Sequence, residues 1–416
     1  MRYVRFAIAL AALLRPSSGL SEDRVEDLVS LKAQSFNLGE LLTIRSDVLN
    51  EDRKVLIRLP DDYDASARKK YPVLYVLDAE YHFQLTVAAV QFLSECAYNK
   101  NAHSMPAMII VGIVNEDRNR DYTPTYAPKH RHLRFPTSGK SALFREFLET
   151  ELMPLVDARY RTEPFRVLTG WSFGGLFTVH TLLTKPDLFG GYLAVSPSLW
   201  WDDQYVVKQA NEMLTDGVTI QKRLVVTLGA DEGGDMGSSV ADSFVPLLRR
   251  NNVSELVFQY LTIADENHDF VIFKATLHGL KALFSDWYPP DDVVTAGLRS
   301  VQEFYDNLSQ KTGCRVDVPQ SVYNRVAQAM RNNGQMDAAI DTFKLSLKRH
   351  PASSYTLVLL GSTYYQSNKL KEAKDCYERA YNIESERAVH YSEDLNDYRR
   401  LIKQVQAKLD RRAKSD

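Results

Sequence analysis

Residues Gly170-Trp171-Ser172-Phe173-Gly174-Gly175 spell G-x-S-x-G between a short β-rich run, Arg166 to Thr169, and a helical pattern, Leu176 to Leu183. A strand that turns into a helix within so few residues holds its central serine in a strained conformation, and glycines on either side let neighbouring backbone pass close. The strain lifts the serine oxygen clear of the sheet. The backbone N–H groups that open the following helix point to where a tetrahedral oxyanion would form. Ser172 is therefore the candidate nucleophile, and the Phe173 N–H is one expected oxyanion donor. The motif alone arises by chance; its strand-turn-helix setting gives it weight.

Outward from this corner, the chain from about Leu38 to Trp287 alternates β-rich runs with longer helical patterns, the rhythm of a mostly parallel sheet covered by helices on both faces. Leu41 to Arg45 and Val55 to Leu59 read as an opening pair of strands, with Ser46 to Lys54 as their turn. Tyr71 to Leu77 and Met108 to Val114 are unbroken apolar runs, as expected of central strands buried on both faces. Gly191 to Val195, Leu224 to Leu228 and Leu256 to Thr262 complete the series. Lys140 to Tyr160 carries Leu143, Phe144, Phe147, Leu148, Leu152, Leu155 and Val156 at helical spacing, which makes it a covering helix with Pro154 as a kink point. The expected fold class is an α/β sandwich with a mostly parallel central sheet.

A serine nucleophile needs a base, and in this kind of fold the chain order is serine, acid, histidine. After Leu224 to Leu228 comes Gly229-Ala230-Asp231-Glu232-Gly233-Gly234, an acidic pair just past a strand's C-terminal end, where α/β sheets keep their functional groups. After Leu256 to Thr262 comes Ala264-Asp265-Glu266-Asn267-His268-Asp269-Phe270, which holds a histidine between the last strand and the last helix. His268 is the candidate base. Asp231 and Glu232 adjoin, and Asp235, Asp265 and Asp269 lie nearby, so the spacing leaves the acid open.

Residues from about Phe36 to Trp287 resemble the putative-esterase family of α/β-hydrolases, which includes siderophore esterases, feruloyl and related carbohydrate esterases, and S-formylglutathione hydrolase. The resemblance rests on Tyr71-Pro72-Val73-Leu74-Tyr75-Val76-Leu77-Asp78, on Val111-Gly112-Ile113 followed by Arg118-Asn119-Arg120-Asp121-Tyr122-Thr123-Pro124, on Gly170 to Gly175, and on Ser196-Pro197-Ser198-Leu199-Trp200-Trp201. The siderophore-esterase-like branch matches best. Its acid tends to be a glutamate three residues after a post-strand glycine, which maps onto Gly229 and Glu232 and implies Glu232 as the acid with Asp231 as the alternative. The family's histidine commonly precedes Gly-Ser, whereas His268 precedes Asp269-Phe270; this departure leaves the base in place and changes the contacts beside it. The implied activity is cleavage of a carboxylic ester through an acyl-enzyme on Ser172, without cofactor or metal, with a siderophore-like or other secondary-metabolite ester among the expected substrates.

The second oxyanion donor is expected from the loop after Leu77, as the N–H of Ala79 or Glu80. Trp200 and Trp201 follow the strand after the elbow, where they either wall an acyl or aryl pocket or simply pack. Arg118, Arg120 and Asp121 either bind an anionic substrate, with Arg120 as the contact, or brace their loop as ion pairs. His130 and His132, in the basic loop Lys129 to Arg134, read as solvated.

Past Trp287, Pro289-Pro290-Asp291-Asp292 breaks the pattern and an all-helical reading begins. Ala339, Phe343 and Pro351 recur in role as Ala373, Tyr377 and Ser385, and Ala327 is echoed by Gly361, an offset of 34 residues that is the tetratricopeptide period. Two repeats, Gln320 to Ser353 and Ser354 to Arg387, are expected between capping helices at Val293 to Ser309 and Asp394 to Leu409. This portion either stabilises the rest or its dimer, offers a docking groove to a peptide partner, or walls the active-site mouth.

The 416 residues suit a large domain plus a smaller one, expected at 36–288 and 293–412. With 44% apolar and 25% charged residues and a net charge of -2, no field singles out nucleic acid or an anionic membrane as partner. Three scattered cysteines, Cys96, Cys314 and Cys376, give neither a disulfide framework nor a zinc site. At the start, Arg2 and Arg5 precede the apolar run Phe6 to Leu14, too short to span a bilayer, and then Arg15-Pro16-Ser17-Ser18-Gly19. That order resembles a secretory signal over 1–20 and implies export, with a cytoplasmic protein as the alternative. Beside the esterase reading stands a rival of another class: an interaction protein whose helical groove carries the function on a vestigial hydrolase scaffold.

Overall fold

The computed structural model describes residues 38–63, 69–95, 105–130, 132–215, 219–251, 253–386 and 392–413, and from Gly39 onward the chain forms one compact unit. The segment on which the export expectation rests lies outside the described residues. Strand β1 (Glu40–Ser46) pairs antiparallel with β2 (Glu51–Arg58). The alternating burial of β2 matches a strand with one face toward the core. Strands β3 (Tyr71–Val76) and β4 (Ile109–Ile113) are buried at every residue, as their unbroken apolar runs require. A two-stranded hairpin, β5 (Lys129–His130) and β6 (Leu133–Arg134), stands apart. Strands β7 (Thr162–Trp171), β8 (Gly191–Val195), β9 (Arg223–Gly229) and β10 (Val257–Ile263) complete an eight-stranded sheet of order β1-β2-β4-β3-β7-β8-β9-β10. From β4 to β10 along that order every pairing is parallel. All six of those strands therefore end at one edge, where the loops that follow them gather.

Helix α1 (Ala79–Glu95) follows β3, and α2 (Arg118–Tyr122) follows β4. The expected covering helix is α3 (Ser141–Phe147) and α4 (Met153–Arg159), joined by a π-helical turn, Leu148–Leu152. The proline has no N–H and its ring crowds the carbonyl one turn back, so the helix widens just ahead of Pro154. Helix α5 (Phe173–Thr184) leaves the elbow, and α6 (Trp201–Thr215) follows β8. After β9 come α7 (Gly234–Gly237), a π turn and α8 (Val245–Asn251); α9 (Val271–Leu283) follows β10. Strand β7 extends further back than its sequence suggests. Its first half contains Pro164, which cannot donate to a ladder, and the register with β3 shifts between Tyr71 and Val73.

The C-terminal portion is all-helical: α10 (Asp291–Ala296) and α11 (Leu298–Thr312) are separated by Gly297 at φ +103°, so the expected single flanking helix is two. The pairs α12 (Gln320–Asn332) with α13 (Met336–Arg349), and α14 (Ser354–Gln366) with α15 (Leu370–Ser385), repeat with α16 (Ser392–Ala413) closing the array. A Cβ on Gly361 would stand 2.7 Å from the Tyr377 ring, so α14 and α15 approach this closely only because that position has no side chain.

Among the described residues, this portion seats against the end of the sheet away from Ser172. Its core is continuous with that on one face of the sheet, running from Phe165, Phe284 and Trp287 into Tyr305, Val318, Val322 and Tyr323. The Tyr288 hydroxyl donates to the Met105 carbonyl, ahead of β4, and the Arg315 and Asp317 charges act on Glu163 at the start of β7. All these contacts lie at the N-terminal ends of the strands. From Phe165 to Trp171, the residue before Ser172, the chain is extended strand, roughly 20 Å at about 3.3 Å per residue.

Candidate active site

Ser172 sits at φ 59°, ψ -114°, outside the comfortable regions for a residue with a Cβ. Hydrogen bonds hold it there: its N–H donates to the Val195 carbonyl at 3.0 Å, and its carbonyl accepts the N–H of Leu176 at 2.9 Å and of Ser198 at 3.0 Å. The glycines are needed for space. A Cβ on Gly170 would lie 2.4 Å from the Gly174 carbonyl, and one on Gly175 would lie 2.9 Å from the Val195 oxygen.

The loop after β10 brings His268 Nε2 to 3.0 Å from Ser172 Oγ, and His268 Nδ1 lies 2.7 Å from Glu232 Oε2. The other carboxylate oxygen, Glu232 Oε1, accepts the Gly229 N–H at 2.7 Å and the Ser196 hydroxyl. Glu232 is buried, while Asp231 beside it is exposed and donates its backbone N–H to the Glu266 carbonyl. The geometry thus joins Ser172, His268 and Glu232 and leaves out Asp231. Asp265 and Asp269 are exposed, and Asp235 lies 3.4 Å from His130 Nε2.

The β3–α1 corner packs against the elbow: a Cβ on Gly174 would meet the Asp78 carboxylate at 3.4 Å and Leu77 at 3.5 Å. Ala79 and Glu80 open α1, where backbone N–H groups have no partner within the helix, as Phe173 opens α5. Buried Asp78 is fixed by Arg118 Nε at 3.1 Å to both carboxylate oxygens and by Asn115 Nδ2 at 2.9 Å.

Arg120 is held by ion pairs: it meets both Glu51 oxygens and Asp121, which in turn pairs with fully buried Arg53 at 2.8 Å. The Arg120 hydrogen bond holds the Glu51 carboxyl below its ordinary range. This is the bracing arrangement. Trp201 is buried and its indole N–H donates to Thr125 Oγ1 at 3.0 Å. Trp200 is half-buried, with its ring 5.8 Å from Phe173 and 4.5 Å from His130, so His130 packs on an aromatic face rather than standing in solvent. Sequence reasoning did not single out Ser196 or Ser198, whose hydroxyls meet Glu232 and, at 3.2 Å, Ser172 Oγ. Their signal was a polar pair placed directly after the strand that neighbours the elbow. Among the described residues, no group of three or more His, Cys, Asp or Glu side chains is placed to hold a metal ion.

A mostly parallel sheet with a strained serine at the β7–α5 corner, and with its histidine after the last strand, defines the α/β-hydrolase class. Residues 46–269 match the Putative esterase family, and the chain belongs to it; residues 354–387 match a tetratricopeptide repeat. The chain is 31% identical over 179 residues to the Ferri-bacillibactin esterase BesA of Bacillus subtilis, an alignment that covers 40% of this chain and 61% of that relative's length. The crystal structure of an IroE-like serine hydrolase from Shewanella oneidensis superposes with a TM-score of 0.65 at 28% identity, covering 74% of this chain and 99% of that one. An uncharacterised protein from Capnocytophaga ochracea, 17% identical, shares the fold over 88% of this chain and 99% of its own, with a TM-score of 0.57.

Proposed function

We propose that the protein is a serine esterase. The observation that carries this reading is the hydrogen-bonded series Ser172–His268–Glu232, at 3.0 and 2.7 Å. His268 Nε2 takes the Ser172 proton as Oγ attacks the ester carbonyl carbon. The oxyanion is received by the N–H groups of Phe173 and of Ala79 or Glu80. Collapse expels the alcohol, which takes the proton from the imidazolium, and water then releases the acyl group by the same steps. Glu232 holds the ring in the tautomer that accepts at Nε2 and stabilises the imidazolium.

The finer substrate reading is a siderophore-like or other secondary-metabolite ester, supported by the relatives named above, with Trp200 as part of the pocket wall. A panel of short acyl, aryl and catecholate esters tests it; a preference for short acyl chains over all catecholates contradicts it. For the reaction class, Ser172→Ala assayed on p-nitrophenyl acetate is decisive, and full activity in that variant sinks it. The rival interaction-protein reading expects the folded chain to resist a fluorophosphonate probe. Export is proposed from the N-terminal pattern alone, and N-terminal sequencing of natively produced protein that finds Met1 intact overturns it.

A further inference from the structure

We propose that Trp171, the residue between Gly170 and the nucleophile, is a positioning residue for His268; this rests on the reading of His268 as the general base. His268 needs such a support. Its loop is exposed at Asp265, Asn267, Asp269 and Phe270, and its own side chain is 31% exposed. Ser172 and Glu232 bind the two ring nitrogens, whose N–H and lone pair point along the ring plane. Neither stops the loop from lifting or the ring from tipping.

Trp171 restrains both motions. Its indole Nε1–H donates to the His268 carbonyl at 3.0 Å, which pins the loop backbone. Its ring stacks on the imidazole with centroids 4.8 Å apart and planes 30° apart, which pins the tilt. The indole is itself held by further contacts. The His82 ring meets it edge-on at 5.6 Å, the Arg118 guanidinium lies 5.3 Å from its centroid, and Arg118 Nη2 donates to the Trp171 carbonyl at 2.8 Å. Arg118 is in turn locked to Asp78. Because Trp171 and Ser172 are consecutive, the nucleophile and the clamp on its base move as one strand end, which preserves the 3.0 Å contact between them.

The stacked face has a second effect. When His268 carries the Ser172 proton, its positive charge lies over an electron-rich indole, which favours the imidazolium. The other charged or titratable groups around the ring are Glu232 on Nδ1, Asp265, Asp269 and the Lys274–Glu266 pair on and beside its own loop, and, against the indole, His82 and the Arg118–Asp78 pair.

The test uses the full chain with Trp171→Phe, which keeps a ring and loses the N–H, and Trp171→Leu, which loses both. Kinetics on p-nitrophenyl acetate across pH are paired with rates of fluorophosphonate labelling at Ser172. In Trp171→Phe, kcat is expected to fall about tenfold at unchanged KM with the acid limb in place. In Trp171→Leu, kcat is expected to fall about 100-fold, and the acid limb to move to lower pH as the imidazolium loses its π face. Folded variants that label and turn over at the wild-type rate, with the wild-type acid limb, overturn the proposal. If Trp171→Leu does not fold, a wild-type kcat in Trp171→Phe does so alone. Wild-type protein that gives no Ser172 adduct overturns the esterase reading itself, a result distinct from Trp171 variants that label normally.

Discussion

At the C-terminal ends of the parallel strands, Asp78, Ser172, Ser196 and Asp265 all take positive φ, and buried polar groups meet there: Glu232 with Ser196 and His268, Asp78 with Arg118. At the N-terminal ends Phe165, Phe284, Trp287, Tyr305 and Val322 form an apolar seam into the helical repeats. Strained non-glycine residues cost on the order of 1 kcal/mol or more each, and a structure keeps them only where its surroundings over-determine them. The difference teaches a division of labour: the end that holds Ser172 and His268 gathers strained and buried polar groups for chemistry, and the other supplies apolar burial that offsets their cost.

Substitutions at the two ends should then separate activity from stability. The largest effect is expected from Ser172→Ala, which should lower kcat/KM at least about 1000-fold while leaving the thermal midpoint unchanged. Glu232→Gln should cost about 100- to 10,000-fold in kcat, because the carboxylate sets the His268 tautomer, and exposed Asp231→Asn should stay within about twofold of wild type. Equal losses in the two would reassign the acid. In the repeats beyond that seam, Phe343→Ala empties a fully buried site between the helices and should destabilise by about 3–5 kcal/mol in denaturant titrations, with kcat unchanged below the melting transition. A matching loss of kcat would mean that the two ends are coupled.

The smallest effect concerns pH. Burial pushes His180 on α5, and His350 at the end of α13, from 6.5 down to about 4. Above pH 6.5 both are neutral folded or unfolded. As pH falls from 6.5 towards 4, the unfolded chain takes up protons that the folded chain refuses, so stability drops by up to about 1.4 kcal/mol per pH unit for each histidine. Urea titrations of His180→Gln and His350→Gln should each show a shallower decline over that window. An unchanged slope in both would remove these groups as its cause.

Much of the site was legible because strand ends and turn chemistry are local. The glycines around Ser172, the post-strand placement of His268 and the repeat that relates Gly361 to Ala327 all come from short-range pattern. What stayed hidden depends on partners distant in sequence. Whether Arg120 contacts substrate or braces its loop stayed open in the sequence because its counter-charge, Glu51, lies on another strand, and the choice of Glu232 over Asp231 came from family resemblance rather than spacing. Trp171 and Ser196 have no periodic signature for their roles, since their partners, the His268 carbonyl and Glu232, come from other loops. The start of β7 was obscured by Pro164, and the seating of the repeats on the far end of the sheet depended on which surfaces remained uncovered.

The central claim is that Ser172, activated by His268 and Glu232, is the nucleophile. Peptide mapping by mass spectrometry after treatment of the folded chain with a fluorophosphonate tests it most directly. The expected result is one adduct, on the peptide containing Ser172, absent in Ser172→Ala and slowed in Glu232→Gln. An adduct on Ser196 or Ser198 instead, or none on folded protein, would contradict the account.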